Sequence, residues 1–374
     1  MEMSKIKKRI FILIALGLVM QSAIYGQSER DTIYKNNILP SPSFSYAPET
    51  DIVIGLFALY QFKFKKSDFG TRPSNLILYA STSFNDQLTF GFEHNILLPE
   101  SDAYYFKGTL EYKRWPEMFF GIGSNTKDED MIISEYDIVT VDQNAYKNVG
   151  KKFFVGLQVK YFNYYNVQFL DTSGVEIPPP QGIIGSNGGA YFGLGIGLLK
   201  DERNSMLTPI TNYYFEFSSR FYSKALGSTT AYSSILLDGR KYLAFKSKGK
   251  HVLAFQGKAM FTFGDVPFIE LAKLGGKYMM RGYLDGRYRE EQYIQFQAEY
   301  RATIIGRFGG TLFAATGNVM PDIASFVMTS LKATVGFGIR FNINRKDPAN
   351  VRIDFGYGFE KDAKGVYITF GEAF

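Results

Sequence analysis

A strict two-residue alternation, sustained over unusually long runs, most limits what this chain can fold into. In residues 332–342, Ala333, Val335, Phe337, Ile339 and Phe341 oppose Lys332, Thr334, Gly336, Gly338, Arg340 and Asn342. In 351–360, Val351, Ile353, Phe355, Tyr357 and Phe359 oppose Arg352, Asp354, Gly356, Gly358 and Glu360. Tyr213, Phe215, Phe217 and Phe221 likewise oppose Tyr214, Glu216, Ser218 and Arg220. Successive strand side chains point to opposite faces, so each run has one apolar face and one polar, glycine-bearing face. A soluble sandwich would bury the apolar faces against each other. A membrane barrel would turn them to lipid and the polar faces to a wet lumen. The runs reach 10–14 residues, against about 5–6 in ordinary sheets. Aromatics also gather near their ends, at Tyr104-Tyr105-Phe106, Tyr161-Phe162-Asn163-Tyr164-Tyr165 and Phe221-Tyr222, as interfacial girdles require. Both features favour the barrel.

The N-terminus fits export. Lys5, Lys7, Lys8 and Arg9 precede the apolar run Ile10 to Met20, and small Gly26 follows. This pattern predicts a secretory signal peptide over 1–26, cleaved before Gln27. Its apolar core is too short for a spanning helix, which needs about 20 residues. Taking its four basic residues and one acid from totals of 42 and 36 leaves 38 and 35, a net charge of +3. That balance gives no ground for nucleic-acid binding. With no cysteine, a disulfide framework, a thiolate metal site and a cysteine nucleophile are excluded.

The alternation outlines strands at 52–64, 74–85, 87–98, 103–114, 131–147, 151–165, 189–200, 211–223, 228–240, 249–263, 291–305, 309–319, 328–343, 349–359 and 365–374. Bacterial barrels nearly always have an even number, so a further strand is sought in Pro40–Ala47 or Glu117–Ser124. The expected fold is all-β, an antiparallel transmembrane barrel of sixteen strands over 51–374, preceded by a short segment at 27–50. The expected seam joins 52–64 to 365–374.

Residues 264–290 break the rhythm. The stretch GDVPFIELAKLGGKYMMRGYLDGRYRE is long for an irregular loop, and such loops are usually functional. Its Phe268, Ile269, Leu271, Leu274, Met279 and Met280 call for packing, and the barrel interior is the place available. Here the chain resembles the BamA/TamA superfamily of outer-membrane proteins, the bacterial surface antigen family. The resemblance rests on Gly275-Gly276, Arg281-Gly282-Tyr283, Gly286-Arg287, Ala298-Glu299-Tyr300-Arg301, Phe313 to Val319, and the terminal aromatic Phe374. It is specific over 264–374, while 27–200 agree only in strand rhythm. It implies that the loop folds into the lumen, that Arg281 meets carboxylates on nearby strands, and that Phe374 serves as an assembly signal. Glu299 shares parity with Gln295, Gln297 and Arg301 on the lumen face, which makes it the expected partner. The second carboxylate usual in the family's next strand is matched here by Ala315, so the loop would be held less firmly.

The resemblance also implies a role in transport or insertion of protein or lipid-linked clients at the outer membrane. Outer-membrane lipid and periplasmic or outer-membrane proteins would be its partners. The periplasmic POTRA domains of family members that assemble or secrete proteins have no counterpart in 27–50. The alternatives are a passive pore or a structural subunit of an outer-membrane complex. No cofactor or metal is expected, and no enzyme: both histidines, His94 and His251, share parity with lipid-face residues. Gly193, Gly195 and Gly197 lie inside an alternating strand and read as close packing.

Overall fold

A computed structural model describes residues 36–64, 73–98, 103–245, 250–344 and 349–374. The segment read as a signal peptide lies outside the described residues. Sixteen long strands follow one another. They are β1 Asn37–Ala47, β2 Asp51–Phe62, β3 Ser74–Ser83, β4 Leu88–Leu97, β5 Tyr104–Arg114, β6 Ile132–Asn148, β7 Phe153–Leu170 and β8 Gly189–Asp201. Then come β9 Asn212–Tyr222, β10 Tyr232–Phe245, β11 His251–Gly264, β12 Gln292–Ile305, β13 Phe308–Met320, β14 Lys332–Asn344, β15 Ala349–Gly358 and β16 Lys364–Phe370. Each pairs antiparallel with its neighbours, and β1 pairs with β16, Tyr46 opposite Ile368, which closes the barrel. Tight turns such as Gly306-Arg307 join strands at one end. The long connections 115–131, 171–188 and 265–291 lie at the other. In such barrels the short-turn end faces the periplasm.

The sixteenth strand is the one sought in Pro40–Ala47. The barrel therefore begins at Asn37, not at 51, and its seam joins β1 to β16, not 52–64 to the last strand. Glu117–Phe119 is also extended, but it is a short strand paired on β6 beyond the end of β5. Pro40 and Pro42 keep the parity of Ile38, Phe44 and Tyr46, but prolines argue against a central strand and are tolerated here because 37–47 is the barrel's edge-like first strand.

The faces follow parity. Phe296, Leu312 and Phe337 are exposed on the outside, while Gln297, Glu299, Arg340, Arg352 and Asp354 are buried inside. Both histidines lie on the outer face. His94 bonds Gln143 at 2.8 Å, and His251 bonds Tyr300 at 2.6 Å. The glycine row of β8 makes room for inward side chains of its neighbours. A Cβ at Gly193 would come within 2.4 Å of the Tyr222 ring.

Not all the aromatics near strand ends are girdle residues. Phe162, Tyr164 and Tyr222 point inward and are almost fully buried. With Tyr191, Tyr232 and the loop residue Phe268 they form a cluster at the long-loop end. The rings of Phe162 and Tyr191 stack at 4.8 Å, those of Tyr222 and Tyr232 at 4.2 Å. Each such pair adds about 0.5–1.5 kcal/mol beyond its buried area, so this end of the lumen is packed like a core.

The last strand is shorter than the expected 365–374. β16 ends at Phe370, and Gly371, at φ +80°, turns the chain inward. Phe374 thus leaves the outward face of Val366 and Phe370. It sits inside the short-turn mouth with Tyr242, Val252 and Ala254.

Candidate functional site

The long connection between β11 and β12 enters the lumen as a doubled segment. Ala272–Leu274 pairs with Tyr288–Glu290, and the chain between them folds back on itself. The fold-back needs glycine. Gly275 has φ +116°, and a Cβ there would lie 1.9 Å from the carbonyl oxygen of Leu284. Gly276 has φ +96°, and its N–H donates to the carbonyl of Tyr283 at 3.0 Å. Gly282, also at φ +116°, passes so near β15 that a Cβ would meet the Gly358 nitrogen at 2.8 Å. Its N–H donates to the Tyr367 hydroxyl at 3.0 Å. Tyr283 is buried against Tyr288, with rings 6.0 Å apart.

Arg281, between these glycines, is 1% exposed. Its Nη2 donates to Glu299 Oε1, the partner expected from parity, and its Nη1 donates to Asp354 Oδ2 at 2.6 Å. Its guanidinium lies 3.6 Å from the centre of the Phe313 ring. The expectation of a loosely held loop is therefore corrected. Ala315 supplies no carboxylate, but Asp354, two strands further on, replaces it. Asp354 is also held by Arg340 and by Arg352, the latter at 2.7 Å. Arg352 in turn donates to the loop carbonyl of Lys277 at 2.9 Å. Inward glycines on β14 and β15 provide the space. A Cβ at Gly356 would lie 2.4 Å from the backbone of Arg281, and one at Gly336 would strike the Phe313 ring.

A second set of ionic contacts holds the base of the loop, and alternation gave no sign of most of it because Glu117, Thr126 and Asp128 lie in the connection 115–131. Lys273 reaches Glu117 at 2.7 Å, and Arg289 reaches the same carboxylate at 3.2 Å. Burial alone would raise the Glu117 carboxyl, but the two cations hold it at about 2. Arg287 donates to the carbonyl of Thr126 at 2.8 Å and pairs with Asp128 at 2.9 Å. Glu270 pairs with Lys160 of β7 at 2.8 Å. Near the seam, Glu49 in the β1–β2 turn is pushed up to about 7, by burial and then by the charge of the loop's Asp285. The loop is thus tied to strands and connections on several sides of the lumen at the long-loop end. A cavity of about 1120 Å³ remains toward the short-turn end, bordered by Asn75, Asn95, Glu93, Arg301 and Arg340.

The Omp85 superfamily domain matches residues 60–374. The chain belongs to the Omp85 superfamily. Among solved structures this Omp85 barrel is similar to BamA from Haemophilus ducreyi lacking POTRA domains 1–3. That match has 13% identity and a TM-score of 0.59, covering 90% of this chain and 70% of that one. It is also similar to CdiB from Escherichia coli, with 11% identity, a TM-score of 0.57 and coverage of 90% and 67%. CdiB from Acinetobacter baumannii gives 12% identity, a TM-score of 0.53 and coverage of 90% and 59%. At these identities the likeness is one of fold. No curated protein sequence matches the chain. The chain is an integral barrel of the outer membrane, as the alternation and the resemblance together imply.

Proposed function

We propose that this Omp85 barrel assists the insertion or transport of protein or lipid-linked clients at the outer membrane, with its docked loop holding the lumen closed at rest. The observation that carries this reading is Arg281, buried between Glu299 and Asp354. A loop held inside the lumen by buried ion pairs narrows the bore, which favours a gated barrel over an open diffusion pore. Breaking such a pair costs about 3–5 kcal/mol. The seam between β1 and β16 supports the same reading, because its ladder is short where the other neighbours pair over many residues. Gly275, Gly276, Arg281, Gly282 and Tyr283 would act as the plug, Glu299 and Asp354 as its sockets, and periplasmic or outer-membrane proteins would deliver the client.

Two measurements on the purified full chain test this. In planar bilayers the barrel should show brief, irregular openings, and Arg281→Ala should lengthen them. In vesicles it should speed the folding of an urea-denatured barrel protein over empty vesicles. A large steady conductance with no effect on client folding would establish the passive-pore reading instead.

A further inference from the structure

Six of the lumen charges form a closed circuit, with Arg352 attached to it at Asp354. Starting from the loop, Arg281 meets Glu299 Oε1, and Glu299 Oε2 accepts from Arg301 Nε at 2.7 Å. Arg301 lies 3.8 Å from Glu372, and Glu372 Oε2 accepts from Arg340 Nε at 2.8 Å. Arg340 meets Asp354 Oδ1, and Asp354 Oδ2 returns to Arg281 at 2.6 Å. Three arginines and three carboxylates alternate around this ring, and all six side chains are at most 9% exposed. The ring joins the plug to Gly371–Phe374, the segment that follows the seam strand β16. Arg301 also donates to the Phe374 carbonyl at 3.1 Å, and its guanidinium lies 4.9 Å from that ring. Glu372 is held further by Asn350 at 2.6 Å and by its own N–H on the Leu207 carbonyl at 3.0 Å.

We propose that the plug and the Gly371–Phe374 segment are coupled through this ring, so that each is held firmly only while the other is in place. The mechanism is competition for shared partners. With the loop docked, Arg281 neutralises one oxygen of Glu299 and, together with Arg352, one of Asp354, so that Arg301 and Arg340, which meet the other two oxygens, also hold Glu372. When the loop departs, both carboxylates lose a cation and draw Arg301 and Arg340 toward themselves, away from Glu372. Removing Glu372 frees those same arginines to compete with Arg281. Either way the coupling is positive and reciprocal, as linkage demands. The inference rests on the docked-loop reading of the site, and makes Arg301, Arg340 and Glu372 positioning residues for the plug.

The chain has no cysteine, so a single introduced thiol reports cleanly. Ala373 is 7% exposed, as is Met279 in the loop. In the folded full chain, maleimide labelling of Ala373→Cys should be slow, and at least tenfold faster when combined with Arg281→Gln. If Arg281→Gln lowers the folded yield, Arg281→Lys keeps the charge but cannot bridge both carboxylates, and should act in the same direction. Labelling of Met279→Cys should speed up in turn with Glu372→Gln. Asp238→Asn removes a lumen ion pair with Arg240 that lies outside the ring, and should leave the Ala373→Cys rate within twofold. Three results would overturn the coupling: fast labelling of Ala373→Cys alone, no change with either Arg281 variant, or an equal change with Asp238→Asn. A barrel that speeds client folding yet labels without coupling overturns only this inference. One that labels as expected but aids no client overturns only the proposed function.

Discussion

Replacing Asp354 should damage this barrel more than replacing Arg281, although Arg281 carries the family motif. The reason is charge balance. Arg281, Arg301, Arg340 and Arg352 share the lumen site with Glu299, Asp354 and Glu372, an excess of one positive charge. Arg281→Gln brings the excess to zero. It costs two charge-assisted hydrogen bonds, to Glu299 and Asp354, about 3–6 kcal/mol in all before relaxation, and most of that returns because Arg301, Arg340 and Arg352 already bond the same two carboxylates and close in on them. Asp354→Asn raises the excess to two and takes the shared acceptor from three arginines at once. That is the uncompensated-charge case, at about 3–5 kcal/mol. Urea unfolding in detergent micelles, followed by heat-modifiable gel migration, gives both values from midpoints and slopes. The combination Asp354→Asn with Arg281→Gln restores the excess of one, and should be more stable than Asp354→Asn alone by about 1 kcal/mol or more. Contacting residues typically couple by about 0.5–3 kcal/mol. Additive costs in the double variant, or a greater loss for Arg281→Gln than for Asp354→Asn, would refute the charge-balance reasoning.

Gly356→Ala should expel the loop from β15, because the new methyl would fall 2.4 Å from the Arg281 backbone; faster protease cleavage within 275–290 with a normally folded barrel would show it. Phe374→Ala should lower the heat-modifiable fraction in membranes, since emptying a buried aromatic site costs about 3–5 kcal/mol; unchanged folded yield would remove Phe374 from assembly. Glu49 gives a pH signature. Its carboxyl rises from 4.5 to about 7 in the fold, so its contribution is full below about 4.5 and is lost as pH climbs through 7. Stability should fall by about 2 kcal/mol between pH 5 and pH 8 at this site, and Glu49→Gln should flatten that slope in pH-dependent unfolding.

Parity alone located much of this architecture. It put Glu299 in the lumen, set both histidines outside, and assigned glycines and charges to one face of β14 and β15. Parity gives direction but not height or neighbour across the bore. Asp354 was therefore readable as an inward charge, yet not as the second socket for a loop 73 residues upstream. The same limit hid Glu117, because irregular segments such as 115–131 have no period to read. The aromatic run 161–165 did carry a usable signal: Phe162 and Tyr164 share parity with Lys160 on the lumen side, and only Tyr161 and Tyr165 suit a girdle.

The inward glycines carry a further message that the three-dimensional fold makes legible. Gly193 is filled by Tyr222 from the adjacent strand, and Gly336 by Phe313 from its neighbour. Gly356 and Gly358 differ: the atoms that would meet a Cβ there belong largely to Arg281, Gly282 and Tyr283 of the loop. An inward glycine in a wide barrel therefore marks a place where something bulky arrives, and the question is from where. On β15 the answer is the loop between β11 and β12. The alternation Asp354-Phe355-Gly356-Tyr357-Gly358 thus encodes three things in five residues: a socket for the loop arginine, a lipid-facing aromatic pair, and a trough cut to the width of the loop backbone.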